Sequence, residues 1–148
     1  MKVSKTTDIE KIKAILCNKA IYATIGSDDA PPLNEFEPPV NDEYIYIGGY
    51  VDGVIMALMV YHKYLNGNEC HVQVLPEFRK EYALKFGEQA LNFRGTRPLY
   101  AEIPFLYQNV LSFALINGFE IVGEKENAYT KNGIKYNVNI LEYKEWDS

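Results

Sequence analysis

Cysteine is scarce in this chain of 148 residues, with Cys17 and Cys70 its only two. Two thiols make no framework of staples, so a reducing, cytoplasmic setting is expected. No apolar run approaches the ~20 residues that span a bilayer. Met1-Lys2-Val3-Ser4-Lys5 leads into a polar helix and not into the apolar stretch of a signal peptide, so no membrane partner is expected. Positive charge is also short. The net charge is −5, and no Lys or Arg occurs between Lys19 and Lys63. A phosphate backbone needs a basic face, so nucleic acid is excluded as the main partner. Internal repeats, low-complexity segments and a Gly-rich nucleotide loop are absent. Ser112 lacks the Gly-x-Ser-x-Gly setting of a nucleophile elbow. Cys70 and His71 are adjacent and point to opposite strand faces, which spoils them as a dyad or metal pair; His62 stands alone in a strand–turn region, and no metal is expected.

What is present is ordinary for one globular domain spanning residues 1–148, with 47% apolar and 24% charged residues. Twelve tyrosines suit strand faces whose outer ends are wet. Alternation predicts a strand over 1–6. Thr7 and Glu10 then have capping-box spacing, and Ile9, Ile12, Ile15 and Leu16 recur at helical intervals to about Cys17, with a second short helix over 19–25.

Residues 26–43 hold Pro31, Pro32, Pro38 and Pro39 and show no apolar periodicity. This acidic loop, with Asp28, Asp29, Glu35, Glu37, Asp42 and Glu43, reads either as a solvated connection or as a lid that attracts a cationic substrate. Strands follow over 44–50 and 54–61, joined at Asp52-Gly53, and over 69–75, after a turn at 64–68 built on Asn66-Gly67. A helix runs from Pro76 to about Asn92, with Ala83, Gly87 and Ala90 as a small face toward a sheet. A strand over 98–103, a helix over 105–117 stopped by Gly118, and strands over 119–123 and 135–143 with a tight turn at Asn132-Gly133 between them complete the chain. The order β-α-α-β-β-β-α-β-α-β-β predicts an α/β fold, a mixed sheet with a central parallel pair and helices on both faces. Trp146 reads as a tail anchor or an interface residue.

The most informative stretch is the strand His71 to Leu75 followed by Pro76-Glu77-Phe78-Arg79-Lys80-Glu81-Tyr82-Ala83. A strand that stops at a proline and turns past a basic pair into a helix presents orphan N–H groups beside Arg79 and Lys80. Such a corner suits a phosphate-bearing ligand.

This element order, with Val74-Leu75-Pro76-Glu77-Phe78-Arg79 at its centre and Asn117-Gly118-Phe119 near its end, resembles the GNAT N-acyltransferases. The resemblance implies a GNAT-like fold, acetyl-CoA as co-substrate and an amine acceptor, small or cationic. It implies cofactor contacts at Gln73 and Val74 along the strand and at Arg79, Lys80, Glu81, Tyr82, Ala83 and Leu84 in the loop and first helical turn. The family's loop has glycines where Tyr82 and Leu84 stand here, and its usual tyrosine acid falls at Ala114. Candidate bases are His71, which alternation sets on one face with Gln73 and Leu75 and whose commoner reading is a satisfied structural histidine, and Glu102 on the neighbouring strand, whose other reading is a rim residue paired with Lys or Arg. Tyr107 is a substitute acid or a packing residue.

A narrower resemblance is to small bacteriophage GNAT-like proteins, some of them head-assembly factors. It rests on His71, the Tyr82-Ala83 pair, Ile103-Pro104 with Tyr107, and Phe113-Ala114 before Asn117. It implies a second role: a non-catalytic protein in the host cytoplasm that contacts a phage structural protein in virion assembly. Because GNAT-like chains often pair, it also implies a homodimer.

Overall fold

In the computed structural model, which describes residues 1–144, the elements appear in the expected order. They are β1 (Lys2–Thr6), α1 (Ile9–Leu16), α2 (Lys19–Ile25), β2 (Tyr44–Val51), β3 (Val54–Tyr64), β4 (Gly67–Val74), α3 (Arg79–Leu91), β5 (Leu99–Pro104), α4 (Gln108–Ile116), β6 (Phe119–Lys131) and β7 (Ile134–Tyr143). Trp146 lies outside the described residues. One seven-stranded sheet runs β1-β2-β3-β4-β5-β7-β6, antiparallel except where β4 meets β5.

Strand alternation divides the core into two layers. Ile47, Met59, Tyr61, Cys70, Val74, Leu99 and Leu141 face α3 and α4, where Phe86 is fully buried. Leu58, Val60 and Tyr46 face α1 and α2, against Ile12, Ile15 and Ile21. Phe86 reaches the sheet because Gly49 has no side chain; a Cβ there would stand 2.6 Å from the Phe86 ring. Burying a ring of this size stabilises by about 1.5–3 kcal/mol. No helix among the described residues is long and apolar enough to cross a membrane.

Four local expectations are corrected. The N-cap of α1 is Asp8, not Thr7: its carboxylate accepts from the Glu10 N–H at 3.0 Å, while Thr6 Oγ1 accepts from the Asp8 N–H. The β3–β4 turn is centred on Leu65 and Asn66, because Gly67 already belongs to β4. Strand β6 runs on to Lys131: its charged stretch carries no apolar alternation, but its backbone pairs with β7 around an irregularity between Lys125 and Tyr129. Gly87 seats α3 against α4 and not against the sheet, since a Cβ there would lie 3.0 Å from the Phe113 ring and Asn117 Oδ1.

Candidate functional site

Strands β4 and β5 are joined at only two register positions, Asn68 with Leu99 and Glu69 with Tyr100. Beyond them β4 keeps its ladder with β3 as far as Val74, and β5 keeps its ladder with β7 as far as Pro104. The parallel strands therefore part after Glu69 and Tyr100, leaving a wedge that opens toward the starts of α3 and α4. The Leu75 N–H donates to Met56 O on β3 at 2.9 Å. By alternation the Val74 N–H and C=O point the other way, into the wedge. Arg79 Nε takes the Val74 carbonyl at 2.9 Å, fastening the first residue of α3 to the end of β4.

Glu69 sits where the strands divide. It is almost fully buried, and its Oε2 accepts from the Glu102 N–H at 3.1 Å, satisfying a β5 amide that β4 no longer reaches. Its Oε1 lies 3.2 Å from His71 Nε2 and 3.0 Å from His62 Nε2. The two imidazoles stack with centroids 5.1 Å apart and planes 10° from parallel, and Tyr44 packs on His62. Burial opposes ionisation of Glu69, but the His71 hydrogen bond and the charges of both imidazoles outweigh it and hold the carboxyl below its usual range. His62 is thus a member of the cluster and not a lone solvent-facing residue, because the β3–β4 register sets it opposite Glu69. Glu69, His62, Tyr64 and Lys125 join the network around His71 and Glu102 and were not among the candidates read from the sequence. The available signal was a carboxylate inside a strand.

Glu102 accepts from the Tyr64 hydroxyl and from Lys125 Nζ at 2.8 Å. Burial, then the bond to Glu102, pushes the Tyr64 phenol well above its ordinary value. His71, half exposed, and Gln73 share the face that carries this network, while buried Val74 faces the opposite layer. Tyr107 stands at the N-cap of α4, its hydroxyl 2.8 Å from that of Tyr129, which donates to Gly26 O at 3.2 Å. Ala114, where the resemblance would put a tyrosine acid, is buried in the core.

A 3-10 turn over Pro76–Phe78 leads into α3, so that the Phe78 N–H donates to Leu75 O and the Arg79 N–H to Pro76 O, and no side chain caps the helix start. Tyr82 turns onto Phe78, with ring centroids 6.2 Å apart, and packs partly buried against the core; it does not plug the helix start. Burial first, then neighbouring Glu81 and Asp52, raise its phenol. Lys80 and Glu81 are exposed, Ala83 packs on the core and Leu84 is exposed. Where the family has glycines, this chain thus has one ring folded away and one leucine facing solvent.

The acidic segment 26–43 is tied down. Asp28 accepts from the Asn132 and Gly133 N–H groups, each at 2.9 Å, and its own N–H donates to Thr130 O. Tyr46 hydroxyl donates to Pro39 O at 2.5 Å, Tyr22 hydroxyl donates to Pro31 O, and Lys13 pairs with Glu37 at 3.1 Å. The segment forms a strap from α2 past the tip of β6 and β7 to β2.

A mixed sheet with an opened parallel pair and a helix start at its mouth defines the acyl-CoA N-acyltransferase type of fold. The comparisons agree: the chain has the fold of the GNAT N-acetyltransferases. A Streptococcus mutans protein superposes with a TM-score of 0.78 at 14% identity, covering 97% of this chain and 98% of that one. A variant of the spermidine N-acetyltransferase of Vibrio cholerae matches at 0.76 and 14%, covering 97% and 94%. An N-acetyltransferase of Staphylococcus aureus matches at 0.74 and 14%, covering 96% of each chain. No protein-family model and no curated protein matches the chain.

Proposed function

We propose that this chain is an acyl-CoA-dependent N-acetyltransferase with an altered pyrophosphate loop, acting on a small or cationic amine. The observation that carries the reading is the parting of β4 and β5 beside an uncapped helix start from which the Tyr82 ring has folded away. These residues fit acetyl-CoA. The pantetheine arm would run along Gln73 and Val74, and the diphosphate would lie at the first turn of α3, by Lys80 and Glu81 near the Arg79 guanidinium. The cofactor supplies an activated acyl thioester. With it bound, the Val74 N–H would polarise the thioester carbonyl, His71 held by Glu69 would take the proton of the attacking amine, and Tyr107 would return a proton to the thiolate. Glu102, engaged by Tyr64 and Lys125, holds the β5 side of the wedge.

Thermal unfolding with acetyl-CoA tests the reading. A ligand at 100 times its dissociation constant adds about 2.7 kcal/mol, and Arg79→Glu should abolish the shift. No shift at millimolar acetyl-CoA sinks the proposal. In that event a second reading stands, a GNAT-fold phage protein in the host cytoplasm that acts through contacts in virion assembly. It is favoured by the buried methyl group of Ala114 where the fold's usual acid would be.

A further inference from the structure

Three donor atoms of the cluster form a triangle of which the acyltransfer reading uses only the His71–Glu69 edge. His62 Nε2, His71 Nε2 and Glu69 Oε1 lie 2.9, 3.0 and 3.2 Å from one another. His62 Nδ1 stands 3.1 Å from the carbonyl oxygen of Lys63, which only accepts, so Nδ1 of the neutral ring carries the proton and Nε2 presents a lone pair. Glu69 Oε1 is a second acceptor facing it. When both rings are neutral, the one proton that His71 Nε2 can offer lies along a single edge of the triangle and leaves lone pair against lone pair on another.

A cation bound by all three atoms removes that conflict. Donors at about 2.1 Å from a common ion in neighbouring octahedral positions are about 3.0 Å apart, close to the edges seen here. The supports of a metal site are also in place. Lys63 O fixes the His62 tautomer, the Glu102 amide holds the other carboxylate oxygen, and Tyr44 packs on the His62 ring. His71 is half exposed, so the remaining coordination positions face solvent.

We propose that His62, Glu69 and His71 bind one first-row divalent transition-metal ion, of the zinc class, at the edge of the wedge. Two imidazoles and one carboxylate favour such an ion over magnesium or calcium, which take oxygen ligands. The site does not depend on acetyl-CoA binding. With the ion bound, the His71 lone pair is taken and proton transfer by that ring stops, so the ion inhibits acetyl transfer.

Zn²⁺ titrated into the reduced full-length chain, in competition with a chromophoric chelator, tests this. The expected result is one ion per chain, with affinity weakened about tenfold or more in each of His62→Ala and His71→Asn. Exposed His71 is replaced without disturbing the core, so its variant reports on binding and not on folding. Co²⁺ should give a visible absorption band in the parent that His71→Asn lacks. Absence of Zn²⁺ uptake at micromolar concentrations overturns the proposal, as does uptake that survives both histidine changes or disappears with Cys17→Ser alone. Because acetyl-CoA binding is read separately by thermal shift, either proposal can fail while the other stands.

Discussion

A tyrosine in the first turn of a helix can lay its ring over the helix start or back along the helix flank. Tyr82 takes the second course and rests on Phe78. Tyr82→Gly should therefore lower stability, by about 2–4 kcal/mol, through lost packing and a helical glycine, while acetyl-CoA binds no more weakly. Urea unfolding and ligand titration check both halves; a variant more stable than the parent would mean that the ring was strained across the phosphate corner. Glycines with a packing duty give a second residue-scale test. Gly49→Ala sets a methyl 2.6 Å from the Phe86 ring, whereas Gly67→Ala sets one 1.9 Å from the backbone oxygen of Pro98. Overpacking a ring costs about 1–3 kcal/mol. The Gly67 change must cost more, because a carbonyl fixed in the β4–β5 junction has less room to move than a side chain. Equal denaturation midpoints for the two variants would refute the ranking.

Gly67 also explains where element-level reading succeeded and where it stopped. The Asp52-Gly53 and Asn132-Gly133 turns were legible because both residues of each pair hold positive φ and no element crowds the glycine. Asn66-Gly67 looks the same in sequence, but its glycine serves the approach of Pro98, and Leu65 takes the positive φ. The resulting two-residue turn sets the β3–β4 register, and that register alone brings His62 to Glu69. His71, Glu102 and the helix start were legible from local pattern. The cluster was not, since it depends on pairing between strands. The strap was visible as a proline-rich loop, yet its anchors are long-range backbone contacts that no local pattern encodes. Its chief anchor makes a pH prediction. Hydrogen bonds from the Gly133 and then the Asn132 N–H hold the Asp28 carboxyl below its ordinary 3.8. Its stabilisation is therefore complete above that value and is lost as pH falls through the lower folded value. The Asn132 and Gly133 amide resonances should titrate with a midpoint below 3.8, and Asp28→Asn should erase that step. A midpoint at or above the ordinary value would show that the strap is not held in solution.

At the scale of the whole molecule, charge is distributed unevenly. The net charge is −5, and no Lys or Arg lies between Lys19 and Lys63 to offset the carboxylates there. Of the acids in the strap, Asp28 is bound to backbone amides and Glu37 to Lys13, while Asp29, Glu35, Asp42 and Glu43 stand exposed. The strap ends beside Tyr44, which packs on His62, so Asp42 and Glu43 lie near the cluster at which the two strands divide. A field of this sign draws in a cationic amine and repels an anionic one, and it acts over about 30 Å at 0.01 M salt but only about 3 Å at 1 M. For a polyamine acceptor, KM should rise with ionic strength while kcat stays level, because the field acts on encounter and not on the bound complex. Neutralising Asp42 and Glu43 together to Asn and Gln should raise KM at low salt and flatten the dependence. A KM indifferent to salt would assign the acceptor to a neutral amine class, and a kcat that falls with KM would mean that the strap touches the reacting groups.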